Sequence, residues 1–375
     1  MKDKKNILQL NYIDLEAQCL ALGLKKFNVK QIYSWLHQKN VSSFDEMSNI
    51  SKPHRALLNE EFYIPEMKIL EHQVSKIDRT EKFLFELKDG KMIETVLMRH
   101  GDRNTVCVSS QVGCAVKCSF CATGINGFKR NLSFDEILSQ IYYIQRALSK
   151  EGETVRNVVF MGMGEPLLNL DNVMDTIKIL ISEEGLNLSK RRITISTSGI
   201  IPQIQRLIDE DLTVELALSL HASSDEIRKE IIPINDKYPI KDLMEVLKKY
   251  QAKSNRKITF EYILIDHLND SKEDGDKLKD LVEGFEYVIN IIPYNPVEGL
   301  PHSRPSRNRI FNFFNHLKND LRLNATLRGE KGTDIDGACG QLRQKQKNVE
   351  LDLINGNLEE KLIIKNENLA SCKTN

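Results

Sequence analysis

From Thr105 onward the chain repeats one rhythm, strand then loop then helix, and six such units in series leave few folds open. Short β-branched, apolar runs occupy 105–110, 158–161, 193–197, 214–220, 258–264 and 288–292, and helical patterns lie at 133–148, 170–181, 201–208, 240–250, 272–282 and 307–321. Strands joined through helices run parallel, and strands this apolar are buried between layers. Six units fall short of the eight that close a barrel. The expected fold class is therefore α/β, an open partial (βα)6 TIM-like barrel with its helices outside. Ser133-Phe134-Asp135-Glu136 is a capping box that sets the start of the first of these helices.

In parallel α/β folds ligands bind at the carboxyl ends of the strands, so the segment after each strand is a candidate site loop. The first carries Cys114, Cys118 and Cys121 in a C-x3-C-x2-C spacing. Three thiolates from one loop can hold three irons of a [4Fe-4S] cluster and leave the fourth iron open to another ligand. Zinc would want a further Cys or His at ligand spacing, and no such pair follows. A disulfide framework does not suit cysteines so few and so clustered, in a chain read as lacking a secretory leader. Further loops are Gly162-Met163-Gly164-Glu165-Pro166, Ser196-Thr197-Ser198-Gly199, Ser219-Leu220-His221 and Pro293-Tyr294-Asn295-Pro296. Each is weak alone. Together on one face, these glycines, hydroxyls and an imidazole point to a nucleoside-containing ligand.

The rest of the chain divides by pattern. Residues 1–65 read as a helical accessory module, with pieces at 11–22, 29–38, 43–50 and 51–62. Its mild basic bias is ordinarily a solvated face. Residues 66–104 read as a linker containing a β-hairpin, two alternating runs around Asp89-Gly90 with a type I′ turn expected. Glu94, in the second run, reads as an outward-facing polar residue. Residues 105–345 hold the barrel and a C-terminal cysteine loop, and 346–375 a polar tail, partly disordered. Lys129, Arg130, Arg304, Arg307 and Arg328 are expected near the mouth, where a polyanion could dock, and Lys190-Arg191-Arg192 at the far end. Bulk charge is silent on nucleic acid, because Lys plus Arg equals Asp plus Glu at 53 each. No run approaches the length of a membrane span, and the expected setting is the cytoplasm, whose reducing conditions suit a cluster and free thiols.

Two more cysteines carry weight. Cys107 alone reads as a small buried hydrophobe. Cys339, in Gly337-Ala338-Cys339-Gly340-Gln341, has little to pack against and suits a nucleophile. Cys19 and Cys372 read as ordinary residues.

The cysteine spacing, with Phe120 before the third cysteine, is similar to the signature of the radical S-adenosylmethionine (SAM) superfamily. Within it, the stretches Cys107-Val108-Ser109-Ser110-Gln111-Val112-Gly113-Cys114, Gly162 to Asn169, Ser196 to Gly199, Ser219 to Ala222 and Gly337 to Leu342 together resemble the RlmN family, which methylates C2 of adenine-2503 in 23S rRNA and of adenine-37 in some tRNAs. The resemblance implies one [4Fe-4S] cluster on Cys114, Cys118 and Cys121, with SAM on the open iron and also bound by Gly164, Glu165, Ser196, Ser219, Leu220, His221 and Asn295. It implies that Cys339 accepts a methyl group from a first SAM, and that a radical made from a second SAM activates that methyl for addition to C2. Cys107 then resolves the adduct through a transient disulfide with Cys339, and Glu94 takes the C2 proton, a role for which the Cys107 thiolate competes. Implied partners are RNA gripped by the helical module, namely 23S rRNA and tRNA, and an electron donor such as flavodoxin, with the chain a monomer and no membrane partner. The alternatives are the C8 chemistry of the related Cfr enzymes, and a non-catalytic RNA-binding or ribosome-assembly factor whose cluster is structural.

Overall fold

Ten strands form one continuous sheet whose spatial order is the order of the chain. The computed structural model describes residues 4–101 and 103–343. Strands β1 (Lys68–Val74), β2 (Glu81–Glu86), β3 (Met92–His100) and β4 (Arg103–Cys107) are antiparallel neighbours. From β4 the sheet turns parallel through β5 (Val155–Phe160), β6 (Ile193–Thr197), β7 (Glu215–Ser219), β8 (Ile258–Leu264), β9 (Tyr287–Pro293) and β10 (Ala325–Leu327). The six expected strands are present in the expected order, and β10 adds a short seventh after the last helix.

The parallel strands are buried because their residues leave no solvent face. In β8, Ile258, Phe260, Glu261, Tyr262, Ile263 and Leu264 are all buried, and β-branched and aromatic side chains fit such a two-sided sheet. The helix before β5, α4 (Phe134–Lys150), starts at the expected capping box, where the Ser133 N–H donates to Glu136 Oε2 at 3.1 Å. It lays Ile137, Leu138, Ile141, Ile144 and Leu148 into the core.

Ahead of the sheet, α1 (Tyr12–Ala21), α2 (Lys26–His37) and α3 (Lys52–Glu61) bury Leu15, Cys19, Val29, Ile32, Leu36 and Leu58 in the same apolar core as the barrel. Buried polar contacts tie the module to α4: Asn6 Nδ2 donates to Asp135 Oδ2 at 2.7 Å, and His37 Nδ1 lies 2.7 Å from the Tyr142 hydroxyl. Residues Met1–Arg343 make one compact unit. The tail expected at 346–375 lies outside the described residues.

Several local expectations change. The 43–50 stretch forms only a 3-10 turn at Phe44–Glu46. The Asp89-Gly90 turn is a three-residue loop, not type I′: the Gly90 N–H donates to Leu87 O at 2.9 Å, and only Gly90, at φ +77°, takes a left-handed conformation. A type I′ turn needs positive φ at both central residues, and Asp89 keeps the conformation that suits it. The hairpin is also no separate linker, since β1 to β3 extend the barrel sheet at its first edge. Between β7 and β8 an unanticipated helix α7 (Asp225–Ile231) precedes α8 (Ile240–Ser254). Among the described residues, no helix is long and apolar enough to cross a membrane.

Candidate active site

The carboxyl ends of β5 to β9 meet the cysteine loop around a cavity of about 150 Å³. Cys114, Cys118 and Cys121 line one wall, and Gly164, Glu165, Ser196, Ser219 and His221 line others. The cysteine loop owes its shape to close backbone packing. Gly113 sits at φ +76° with its missing Cβ only 1.8 Å from the Gly127 carbonyl oxygen, so no other residue fits there. The Ser119 N–H donates to Ile231 O at 3.0 Å, which seats the loop on the end of α7. Phe120 meets the His221 ring edge to face at 4.9 Å, and the three cysteines pack against a small core of Val116, Ile231, Ile232, Ile263 and Tyr294.

The residues fit an iron-sulfur cluster. Burial pushes the Cys114 thiol up to about 12 and raises Cys118 and Cys121 as well, so these sulfurs ionise only against a positive core. Among the described residues no three Cys, His, Asp or Glu side chains converge on one metal-ion position. Three cysteine sulfurs on one wall of the cavity suit a cluster, whose irons each take a separate protein sulfur.

The opposite walls are preorganised for a polar ligand. Glu165 is buried, and its carboxylate is fixed by the Ser198 N–H at 2.7 Å, the Ser198 hydroxyl at 2.8 Å and the Leu167 N–H at 3.1 Å. Burial raises its pKa, and these donors oppose the rise. Ser196 Oγ and Ser219 Oγ face each other at 3.4 Å. The His221 imidazole is held neutral, its pKa pulled down to about 3 by burial and by Arg228. Its Nδ1 accepts from the Ile263 N–H at 3.0 Å, which leaves Nε2 as the N–H donor. Leu220 differs from the others, because its side chain is buried in the main core and does not line this cavity. Gly164 stands at φ +104°, with its missing Cβ 2.5 Å from Gln111 Cβ. Gly164→Ala is therefore expected to destabilise the fold by roughly 1–3 kcal/mol. Thermal unfolding checks this, and an unchanged midpoint would refute it.

A second, smaller cavity of about 40 Å³ adjoins the first and is lined by Cys107, Cys339, Met98, Asn295 and Arg328. Cys339 and Arg328 line both cavities. Asn295 belongs to the smaller one, and its Oδ1 accepts from Arg304 Nη1 at 3.3 Å. The thiols of Cys107 and Cys339 are free, and burial pushes Cys107 up to about 12. The Cys339 loop is clamped from both sides. The Gly332 N–H donates to Asp78 Oδ2 and the Lys76 N–H to Asp334 Oδ2, each at 3.0 Å. On the cluster side, the Ala122 N–H donates to Gly340 O and Thr123 Oγ1 to Leu342 O, each at 2.7 Å. The strand turn at 75–80, unremarkable in the sequence, thus positions the thiol.

Glu94 is buried, not outward-facing. Burial pushes its carboxyl up to about 7, against the pull of Lys82 Nζ at 3.2 Å from Oε1 and of the Arg343 backbone N–H. It lies beside this loop, with Arg343 and Asp336 among the groups acting on it, but does not line either cavity. Arg328 also departs from expectation. It is no exposed docking cation: Cys339 and Glu261 hold its guanidinium charged, the Glu261 carboxylate lying 3.8 Å away. Arg130 is occupied as well, bonding Asp89 at 2.8 Å and Glu136 at 2.7 Å, while Lys129 and Arg307 remain exposed. Lys190–Arg192 precedes β6, at the amino end, as expected.

Arg228, which no motif flagged, is fully buried within α7. Its guanidinium donates to Ser198 O at 2.6 Å, Ser219 O at 3.1 Å, Leu220 O at 3.1 Å and Asn235 Oδ1 at 2.8 Å. Two of the ligand-site loops are thereby joined by one side chain.

Comparison with known proteins agrees with this architecture. Residues 108–278 match the Radical SAM superfamily, and residues 5–64 match the "Ribosomal RNA large subunit methyltransferase N-terminal domain". A Thermotoga neapolitana protein named "Probable dual-specificity RNA methyltransferase RlmN" is 48% identical over 344 residues, 92% of this chain and 98% of the relative. A Staphylococcus aureus protein of the same name is 46% identical over 348 residues, covering 93% and 95%. The crystal structure of a radical SAM methyltransferase from Sphaerobacter thermophilus superposes with a TM-score of 0.86 at 41% identity, covering 90% of this chain and 99% of that one. Near-full-length identity of this order, over a barrel with its cysteine loop and its N-terminal module, leaves one conclusion: the chain belongs to the RlmN family of radical SAM RNA methyltransferases.

Proposed function

We propose that this chain methylates C2 of adenine-2503 in 23S rRNA and of adenine-37 in tRNA through an S-methyl group on Cys339, consuming two SAM per turnover. The observation that carries the reading is the place of Cys339 on the walls of both cavities, facing the cluster cysteines on one side and Cys107 on the other. An amidine carbon such as adenine C2 is electrophilic, so direct methyl transfer from SAM, itself an electrophile, cannot reach it. Cys114, Cys118 and Cys121 would hold the cluster, which would supply the electron for reductive cleavage of SAM to methionine and a 5′-deoxyadenosyl radical.

The chain's own residues arrange the rest. Glu165, with the backbone at Gly164, offers an anionic cradle for the SAM amino group, and Ser196, Ser219 and His221 present hydroxyl and N–H groups to the nucleoside. Leu220 contributes backbone, and Asn295 borders the cavity where the target base would enter. Cys339 takes a methyl by displacement, losing its thiol proton, and holds it within reach of Cys107. A thiol pushed up to about 12 is scarcely ionised at neutral pH, whereas Glu94, pushed up to about 7, is poised to exchange a proton there. By protonation Glu94 suits the acceptor of the C2 proton, whereas by position Cys107, on the wall of the smaller cavity, competes for the role. The helical module is assigned to RNA binding, the electron to a flavodoxin-type donor, and the monomeric chain to the cytoplasm.

Anaerobic turnover of the cluster-loaded full chain with SAM, a reductant and protein-free 23S rRNA or tRNA tests this by nucleoside mass spectrometry. The expected product is 2-methyladenosine; 8-methyladenosine alone would transfer the chain to the C8 chemistry, and cleaved SAM without methylated RNA would sink the substrate assignment. If Glu94 works as the carboxylate, breakdown of the protein-RNA adduct rises as pH passes up through about 7 and falls away below it. Glu94→Gln should abolish that limb of the profile, and an unaltered profile would remove Glu94 from the role.

A further inference from the structure

Arg228 hydrogen-bonds only to neutral acceptors. Among the described residues no acidic side chain forms a direct ion pair with it, although it is 0% exposed. Its bonds run to carbonyl oxygens of Ser198, Ser219 and Leu220 and to an amide oxygen of Asn235, all neutral acceptors. A buried charge with no direct ion pair is costly, so the anions that lie farther off carry the burden of stabilising it. Burial lowers its pKa only to about 10, so the guanidinium stays charged at neutral pH, and Cys118 leads the groups that favour the charge, with Asp225 and Glu165 after it. The helix that carries it, α7, is also the element on which the cysteine loop rests, through Ser119 N–H to Ile231 O at 3.0 Å.

We infer that Arg228 is the fixed counter-charge of the iron-sulfur cluster, a positioning residue that stabilises the anionic cluster and sets its reduction potential. The inference rests on the cluster reading above and goes beyond it. A [4Fe-4S] core bound by three thiolates is anionic and becomes more so on one-electron reduction. A permanent cation behind the cysteine loop, shielded from water, therefore favours the reduced form, and net charge is one of the levers that set such potentials. Because the same guanidinium also bonds the backbone of two SAM-site loops, the charge is held at one place.

The test is an EPR-monitored redox titration of the cluster-loaded full chain, with dithionite as reductant, on wild type, Arg228→Lys, Arg228→Gln and Asp225→Asn. Arg228→Gln should titrate at a more negative potential than wild type. Arg228→Lys, which keeps the charge but not the fork of hydrogen bonds, should stay near wild type even if its unfolding midpoint drops. Asp225→Asn removes a negative charge near Arg228 while its Oδ1 can still accept from Asn235 Nδ2, now at 2.7 Å, and should shift the potential upward. Equal shifts in the Lys and Gln variants would show that packing and not charge is at work, and would overturn the inference. If Arg228→Gln fails to fold or to take up iron, Asp225→Asn decides, and an unchanged potential there overturns it. A wild-type chain that takes up no iron overturns the cluster reading and this inference together, whereas a loaded wild type with unmoved variants overturns only this one.

Discussion

Cys339→Ala is expected to abolish RNA methylation, by on the order of 10³-fold or more, as removal of a covalent nucleophile does. The variant should still load its cluster and still bind SAM. The hydrogen bonds that clamp the loop come from the backbone at Gly332, Gly340 and Leu342 and from Asp334, while the Cys339 side chain itself meets the Arg328 guanidinium. Truncating this half-exposed thiol removes its contact with Arg328 but no clamp, and should cost about 1 kcal/mol at most. With methyl-labelled SAM, wild-type protein should carry protein-bound label at this position and the variant none. Methylated RNA from the alanine variant at even a tenth of the wild-type rate would end the S-methylcysteine route, whatever the product.

Arg328 gives that thiol a setting the sequence did not disclose. It does lie near the mouth, on the walls of both cavities, but its charge is set against Cys339, Glu261 and Cys107 and not offered to solvent. The reason it could not be read is topological. Arg328 follows β10, a three-residue strand too short to show any periodicity, and only its pairing with β9 carries the side chain into the barrel. The same holds for α7, whose seven residues include only Ile227 and Ile231 as apolar positions, and for β1, an edge strand with Leu70 and Val74 left exposed. What was legible had long-range repetition behind it: six apolar strands, helices with an apolar face, and loops placed by the carboxyl-end rule. Glu94 shows the limit of local pattern. In an alternating strand a lone Glu faces water, but here β1 and β2 continue the sheet and the 336–343 loop covers the residue from above. Burial by a segment more than two hundred residues away leaves no trace in the strand itself.

Cys107→Ala should fail differently from Cys339→Ala, and the difference separates the two thiols. The alanine variant keeps Cys339 and the whole SAM cavity, so methyl loading and addition to the base proceed. On the proposed route release should not, because there it needs a sulfur to attack Cys339, and Cys107 is the other thiol on the walls of the 40 Å³ cavity they share. The expected result is protein joined to RNA through Cys339, seen as a band that survives denaturation and collapses on nuclease digestion, with multiple turnover lost by on the order of 10³-fold. Stability should fall by about 1–2 kcal/mol, since Cys107 is buried in the core and the change leaves a small void. A disulfide between the two positions must then be detectable in wild type after a single turnover without added thiol. If Cys107→Ala instead releases free methylated RNA at the wild-type rate, Cys107 is only a buried core residue, and resolution of the adduct must come from a thiol outside this cavity.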